Sequence, residues 1–163
     1  MIMEGFDKMV IHGVSFDVAS KQPIVLLKSE EADRYLPIWI GGPEAAAILV
    51  KLQNAEFPRP MTHDLLTNVL GSLSAKLERV LVTELKDNTF YAVLRLMAGG
   101  QEIDIDSRPS DAIALAVRTE APIFASHELL ETNGIELDQG PDQTDEVMAQ
   151  FRDFLDQVSP EDF

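Results

Sequence analysis

Apolar and polar residues alternate along the first forty positions of the chain, a pattern typical of β-strands. Residues 9–18 place Val10, Val14, Phe16 and Val18 on one face of a predicted strand. Residues 23–27 are a continuous apolar run, which indicates a strand buried on both faces. Residues 34–40 predict a third strand, in which Pro37 favours an edge position or a bulge. Together these segments predict a three-stranded meander.

Two helices are predicted next. Pro43 suits the first position of a helix that runs to about residue 55. The apolar stripe of this helix would be Ala45, Ile48, Leu49 and Leu52. A proline-rich link leads to a second helix over residues 62–75, for which Thr62 is the predicted N-cap. The predicted apolar face of the second helix is Leu65, Leu66, Val69, Leu70 and Leu73.

A β-hairpin is predicted over residues 77–97, because Asp87-Asn88 separates two apolar runs. After Gly99-Gly100, residues 101–106 return as a strand with Ile103 and Ile105 facing inward. The opposite face of this strand is acidic and carries Glu102, Asp104 and Asp106, which we interpret as a solvated row of charges.

Pro109 begins an alanine-rich helix that extends to about residue 118. A short strand over 122–125 and a short helix over 127–132 complete a domain that we place at residues 1–135. The predicted fold class is α+β (mixed α/β). We interpret residues 136–143 as an acidic linker and residues 144–163 as an amphipathic helix and tail. The stripe of this last helix would be Val147, Phe151, Phe154 and Leu155.

Charge and composition narrow the possible functions. The net charge is −15, and residues 136–163 hold nine acids and one base, so the tail should repel nucleic acid. The rest of the chain is mildly acidic and leaves room for a local basic patch. Cysteine is absent, which excludes thiolate chemistry and favours a cytoplasmic location. No stretch approaches the ~20 apolar residues of a membrane helix, so no membrane association is expected.

No P-loop, dinucleotide-binding glycine motif, zinc-protease motif or nucleophile elbow is present. Two predicted helix starts carry polar clusters instead. The first contains Arg59, Thr62, His63 and Asp64. Its arginine could bind an anion at the helix N-terminus, and His63 could exchange a proton near neutral pH. Ordinary capping by Thr62 and Asp64 is the alternative.

The second cluster contains Asp106, Arg108, Ser110 and Asp111. Its two aspartates could share a divalent cation, and Arg108 could hold a phosphate through two N–H groups. Alternatively, Asp111 interacts only with the helix dipole and Arg108 pairs with Asp106. We interpret Trp39, which lies between two isoleucines, as a core residue rather than a base-stacking platform.

Four motifs in this order resemble the bifunctional nuclease domain family: YLPIWIGGPEAAAI, RPMTHDLL, TFYAVL and IDSRPSDAIALAVR. The resemblance covers roughly residues 9–135, and the acidic C-terminal segment resembles the tails of actinobacterial members. It implies cleavage of RNA and DNA. It also places the residues of the two clusters, together with Glu44, in the family's motifs.

The working hypothesis is a nuclease that hydrolyses phosphodiester bonds in RNA and single-stranded DNA. Asp106 and Asp111, with Glu44, would hold Mg²⁺ or Mn²⁺, and no organic cofactor is expected. Arg59, Arg108, Ser110 and Thr62 would contact phosphate, while His63 and Asp64 would complete the catalytic set. The rival hypothesis is a non-catalytic oligomeric scaffold or regulator that binds a basic partner through its acidic surface.

Two structural expectations follow. Catalysis requires the clusters to converge, so His63 and Asp111 should lie in one cleft, within a subunit or across an interface. The chain should also form a homo-oligomer, because the meander and the hairpin leave open sheet edges.

Overall fold

The computed structural model describes residues 3–136, which form one mixed sheet and four helices. In chain order the elements are β1 (Phe6–Asp17), β2 (Gln22–Ser29), β3 (Tyr35–Trp39), α1 (Gly42–Leu52), α2 (Thr62–Ser72), β4 (Ala75–Lys86), β5 (Thr89–Ala98), β6 (Gln101–Ser107), α3 (Pro109–Thr119), β7 (Ile123–Ser126) and α4 (His127–Asn133). The predicted α+β class is confirmed.

Strand β7 joins two antiparallel units into one sheet of order β3-β2-β1-β7-β4-β5-β6. It runs antiparallel to β1 and parallel to β4. The predicted meander is confirmed as β1-β2-β3, with Pro37 on an edge strand, and the hairpin is confirmed as β4-β5. Asp87 and Asn88 both have positive φ, as the tight turn of a two-residue hairpin requires.

A β-bulge in β1 makes part of the predicted strand face wrong. The register with β2 shifts between Ile11 and Gly13. Because side chains alternate along a strand, the extra residue exchanges the two faces at that point. Met9 and Val14 are therefore buried, while Val10 is exposed.

Helices α1 and α3 are the buried helices of the domain. Their buried residues include two sets of alanines: Ala45, Ala46 and Ala47 in α1, and Ala112, Ala114 and Ala116 in α3. One or two residues separate each helix from the preceding strand: α1 begins at Gly42, with Pro43 in its first turn, and α3 begins at Pro109, close to the predicted starts. The two helices pack against each other.

The apolar faces of α2 and β6 lie on the surface, which contradicts the prediction. Helix α2 has no fully buried residue, and Leu70 is its one residue that packs partly against the core. The exposed apolar residues of these two faces are Leu65, Leu66 and Val69 in α2, Leu73 at its C-cap, and Ile103 and Ile105 in β6. We call these six residues the α2–β6 face. In the sheet formed by the described residues, β6 is an edge strand with one neighbouring strand.

Trp39 is also not a core residue. Its neighbours Ile38 and Ile40 are buried, whereas Trp39 is 47% exposed. Its indole Nε1 donates a hydrogen bond to Oδ2 of Asp17, at 3.1 Å. The prediction failed because Trp39 lies in a run of apolar residues, whereas successive residues of a strand point to opposite faces of the sheet.

The predicted linker, except for its first residue, and the predicted helix over 144–158 lie outside the described residues. Within residues 3–136, no helix is long and apolar enough to cross a membrane.

We expect Ile113→Ala to lower the free energy of unfolding by about 2–5 kcal/mol, because the substitution leaves a cavity at a fully buried site. Leu73→Ala should cost less than about 0.5 kcal/mol, since Leu73 is 72% exposed. Urea unfolding at low protein concentration measures both. A similar cost for the two variants would mean that α2 is part of the core.

Candidate functional site

The starts of α1 and α3 bring together residues that are distant in the sequence. Glu44 lies in the first turn of α1, and Asp111 lies in the first turn of α3. Arg108 is the N-cap residue of α3. Carboxylates are favoured at both positions, because the helix N-terminus carries a partial positive charge.

Arg108 bridges the two helix starts. Its Nε donates to Oδ2 of Asp111 at 2.8 Å, and one terminal nitrogen donates to Oε1 of Glu44 at 3.0 Å. The predicted alternative, in which Arg108 pairs with Asp106, is not observed. The Arg108 side chain is 64% exposed, so these contacts hold it at the surface without burying it.

His63 reaches the same carboxylate from α2. Its Nε2 lies 2.9 Å from Oδ1 of Asp111, so the convergence expected from the sequence is observed within one chain. The two oxygens of Asp111 thus contact His63 and Arg108 respectively. The backbone carbonyl of His63 also accepts a hydrogen bond from the Thr67 hydroxyl at 2.9 Å.

The protonation of this pair follows from its surroundings. Burial raises the pKa of Asp111, but hydrogen bonds from Arg108 and His63 outweigh it, and the net effect is a pKa below the ordinary value. Asp111 is therefore ionised at neutral pH and can only accept hydrogen bonds. It follows that Nε2 of His63 donates its proton in this hydrogen bond, so Nδ1 is the nitrogen without a proton whenever the ring is neutral.

Asp64 has structural contacts at the start of α2. Asp64 accepts from the backbone N–H of Met61 at 3.0 Å and from Nε of Arg118 at 2.7 Å. Burial raises the pKa of Asp64, and the hydrogen bonds from Arg118 and Met61 lower it further than burial raises it. The prediction of Thr62 as the N-cap was wrong, because the N-cap residue is Met61 and the helix begins at Thr62. The Asp64 side chain accepts the hydrogen bond from the N-cap backbone.

A cavity of about 750 Å³ adjoins the His63–Asp111 pair, and we call it the dyad cavity. Its polar lining residues are Glu44, Thr62, His63, Asp106, Ser107, Arg108 and Asp111. Apolar lining is supplied by Leu66, Leu94, Ile105 and Leu115, among others. Five of the predicted catalytic or phosphate-binding residues, and the three predicted metal ligands, therefore border one space.

Two predicted phosphate-binding residues lie elsewhere. Arg59 is exposed in the segment between α1 and α2 and is not among the residues that line the dyad cavity. Ser110 is buried and lines a different cleft. Sequence reasoning missed Arg118, which is 4% exposed and secures Asp64. Its position in the last turn of α3 indicated no more than a favourable interaction with the helix dipole.

The arrangement does not match the predicted metal site. Among residues 3–136, no three His, Asp or Glu side chains are grouped closely enough to hold one ion. Glu44 and Asp111 both contact the Arg108 guanidinium, which supplies the positive charge between them. The described residues do not fit a three-carboxylate site, so we assign no step to a metal.

The fold and the cavity define the class of protein: an α+β domain whose helix N-termini converge on a cleft with paired acidic and basic side chains. Residues 25–138 match the family model of the bifunctional nuclease domain. The chain belongs to this family.

Two groups of relatives are similar to the chain. An uncharacterised protein of Mycobacterium tuberculosis (strain H37Rv) is 39% identical over 160 residues, which cover 93% of this chain and 94% of that protein. Bifunctional nuclease 1 of Oryza sativa subsp. japonica is 29% identical over 126 residues, or 76% of this chain and 38% of the rice protein. Bifunctional nuclease 1 of Arabidopsis thaliana is 26% identical over 73% of this chain and 38% of the plant protein.

The lowered pKa of Asp111 predicts a pH-dependent contribution to stability. Because the pKa is lower in the folded chain, the contribution is present above the unfolded pKa and is lost as the pH falls through the folded pKa. Asp111→Asn should therefore destabilise the chain by a constant amount above about pH 5, and the difference should shrink towards about pH 3. Urea unfolding of both proteins across this range measures the difference. A difference independent of pH would contradict the assignment.

Proposed function

We propose that this chain is a nuclease that hydrolyses phosphodiester bonds in RNA and single-stranded DNA. The observation that carries the proposal is the hydrogen-bonded series His63–Asp111–Arg108–Glu44 beside the dyad cavity. Membership in the bifunctional nuclease domain family supports it. Plant proteins named bifunctional nucleases, which this chain resembles over 73–76% of its length, add to that support.

His63 is the proposed general base. Asp111 fixes the orientation of the ring and the proton on Nε2, so Nδ1 can accept a proton from an attacking water. The carboxylate also stabilises the positive charge that the ring then acquires. This division of roles is general for a histidine oriented by an aspartate.

Arg108 is the proposed phosphate ligand. A guanidinium has five N–H donors, and the two hydrogen bonds to Glu44 and Asp111 leave three for a substrate. Its exposed position allows a phosphate to approach without disrupting the carboxylate contacts. The same N–H groups would stabilise charge that develops on the phosphate oxygens during cleavage.

Asp106, Thr62 and Glu44 line the same cavity and complete the proposed site. The requirement for Mg²⁺ or Mn²⁺ stays a prediction, as does the cytoplasmic location. Asp64 is proposed to hold the start of α2 in place through Arg118. Arg59 would contact the substrate beyond the cavity.

The composition of the α2–β6 face supports self-association. Both the nuclease hypothesis and the scaffold hypothesis include a homo-oligomer. The α2–β6 face exposes six large apolar residues, and the acidic or basic residues in the sequence of α2 are His63 and Asp64, which contact Asp111 and Arg118. In a chain of net charge −15, an uncharged apolar surface is where two copies can meet without repulsion. We propose a homo-oligomer in which a second copy contacts the part of this face outside the dyad cavity, which is formed by Leu65, Val69, Leu73 and Ile103.

Asp111→Asn should reduce the rate of cleavage of a labelled single-stranded oligonucleotide by roughly 100-fold or more, because it removes the charge that orients His63. His63→Gln should have a comparable effect. The rates are measured on purified full-length protein, in EDTA and with added Mn²⁺, so that the predicted metal requirement is tested in the same series.

Glu102→Gln is the matched control for this series. It makes the same carboxylate-to-amide change on β6, outside the residues that line the dyad cavity, and leaves Arg95 its contact with Asp104. Cleavage by Glu102→Gln should equal that of the unmodified protein. Equal rates for Asp111→Asn and the unmodified protein would overturn the proposed site.

Leu65→Lys should shift sedimentation towards the 18.1 kDa monomer, because it places a charge in the α2–β6 face. The unmodified chain should sediment as a larger species at micromolar concentration. Val18→Lys, a change at an exposed valine outside this face, is the control. A monomer for the unmodified chain would contradict self-association.

A further inference from the structure

A second cleft, of about 660 Å³, lies next to the dyad cavity, and among residues 3–136 Arg108 is the one lining residue that the two share. We call it the Trp39 cleft. It lies where the ends of β3 and α4, the tip of the β4–β5 hairpin and the start of α3 meet. Its volume is within the range of small-molecule sites.

The lining of the Trp39 cleft has two chemical components besides Arg108. One is aromatic and apolar, and includes Trp39, Phe90 and Ile135. The other is polar and uncharged: Gln22, Asn88, Thr89, Ser110 and Asn133. Within the described part of the chain, Arg108 is the single charged residue that lines this cleft.

Trp39 is held in place but not covered. The hydrogen bond from its Nε1 to Asp17 fixes the indole, and the residue remains 47% exposed. A restrained, exposed aromatic ring is a suitable surface for stacking, because little side-chain freedom is lost when a second ring packs on it.

We propose that the Trp39 cleft binds one unpaired nucleobase of the strand whose phosphate contacts Arg108. The base would stack on Trp39, and the amides of Asn88, Asn133 and Gln22 would offer hydrogen bonds to its edge. A paired base is unavailable for this contact, so the cleft selects single strands. This inference rests on the proposed nuclease function for the placement of the phosphate.

Stacking is compatible with the acidity of the protein. Non-specific binding to phosphates depends on many cations, whereas this cleft and the dyad cavity share one arginine. Contact between a base and an aromatic ring involves no net charge and tolerates every base, because each has a π-face.

Trp39 is the only tryptophan in the chain, so intrinsic fluorescence reports directly on the cleft. The test uses full-length protein with His63→Gln, which slows cleavage and leaves Arg108 with both carboxylates. The probes are a single-stranded DNA hexamer of adenines and a fully abasic hexamer with the same number of phosphates. The adenine strand should quench the fluorescence and the abasic strand should not. Absence of quenching by the adenine strand, or equal quenching by both, overturns the proposal.

Trp39→Ala in the same background should weaken binding of a dye-labelled adenine hexamer by about 5- to 150-fold, as measured by anisotropy. Trp39→Phe should recover part of the affinity, since it keeps a smaller ring. Tyr91→Ala removes another exposed aromatic residue, outside the lining of the cleft, and should bind normally. Equal affinity for Trp39→Ala and its parent overturns the proposal.

Binding and cleavage fail independently in this design. Base-dependent quenching by a chain that cleaves no strand would retain the base site and reject the nuclease. Cleavage by a chain whose Trp39 is insensitive to bases would retain the nuclease and reject the base site.

Discussion

The packing of α1 against α3 determines where the chemistry of this domain lies. Both helices present alanines among their buried residues, and small side chains allow two helix axes to approach closely. Each helix is entered directly from a strand, so the sheet fixes both starts. Two helix N-termini are therefore held side by side, and the first-turn carboxylates Glu44 and Asp111 lie within reach of one arginine.

Arg108 resolves the repulsion that this packing would otherwise create. Two carboxylates near one another favour protonation of one of them, unless a cation lies between them. Arg108 supplies that cation and contributes to the lowered pKa of Asp111. An ionised Asp111 in turn defines which nitrogen of His63 carries the proton. The orientation of His63 thus depends on Arg108 indirectly, because both side chains hydrogen-bond to the same carboxylate, that of Asp111.

Helix α2 depends on polar contacts more than the other helices do. It contributes no fully buried residue, so the hydrophobic effect holds it weakly. Its N-terminal turn is joined to α3 by the ion pair Asp64–Arg118 and by the hydrogen bond between His63 and Asp111. Regions with few buried apolar contacts open locally at low free-energy cost. His63 therefore lies on a helix with no fully buried residue, whereas Asp111 lies on α3, most of which is buried.

The sequence predicts what local chemistry dictates. Proline before an apolar helical stripe marked the starts of α1 and α3, and Asp87-Asn88 marked the hairpin. The convergence of His63 and Asp111 was also predictable. If both polar clusters take part in one reaction, their side chains must lie in the same cleft.

The remaining features depend on non-local pairing. The insertion of β7 between β1 and β4 joins segments more than forty residues apart in sequence, and no local pattern encodes it. The bulge in β1 inverted the alternation at a point where the residues themselves look regular. The apolar residues of α2 and β6 have the spacing of core residues. Spacing shows that residues share one face of an element, but it does not show whether another element covers that face.

The acidity of the chain limits how it could hold nucleic acid. Long-range attraction is absent, because the net charge is −15 and like charges repel at a distance. Several arginines are also already paired: Arg95 contacts Glu102 and Asp104, and Arg118 is buried against Asp64. Arg108 differs because it is mostly exposed and retains unused N–H groups. Affinity would then have to come from short-range contacts, which are one guanidinium and the faces of bases. Stacked duplex bases present no free faces, so the proposed contact with a base would require an unpaired strand.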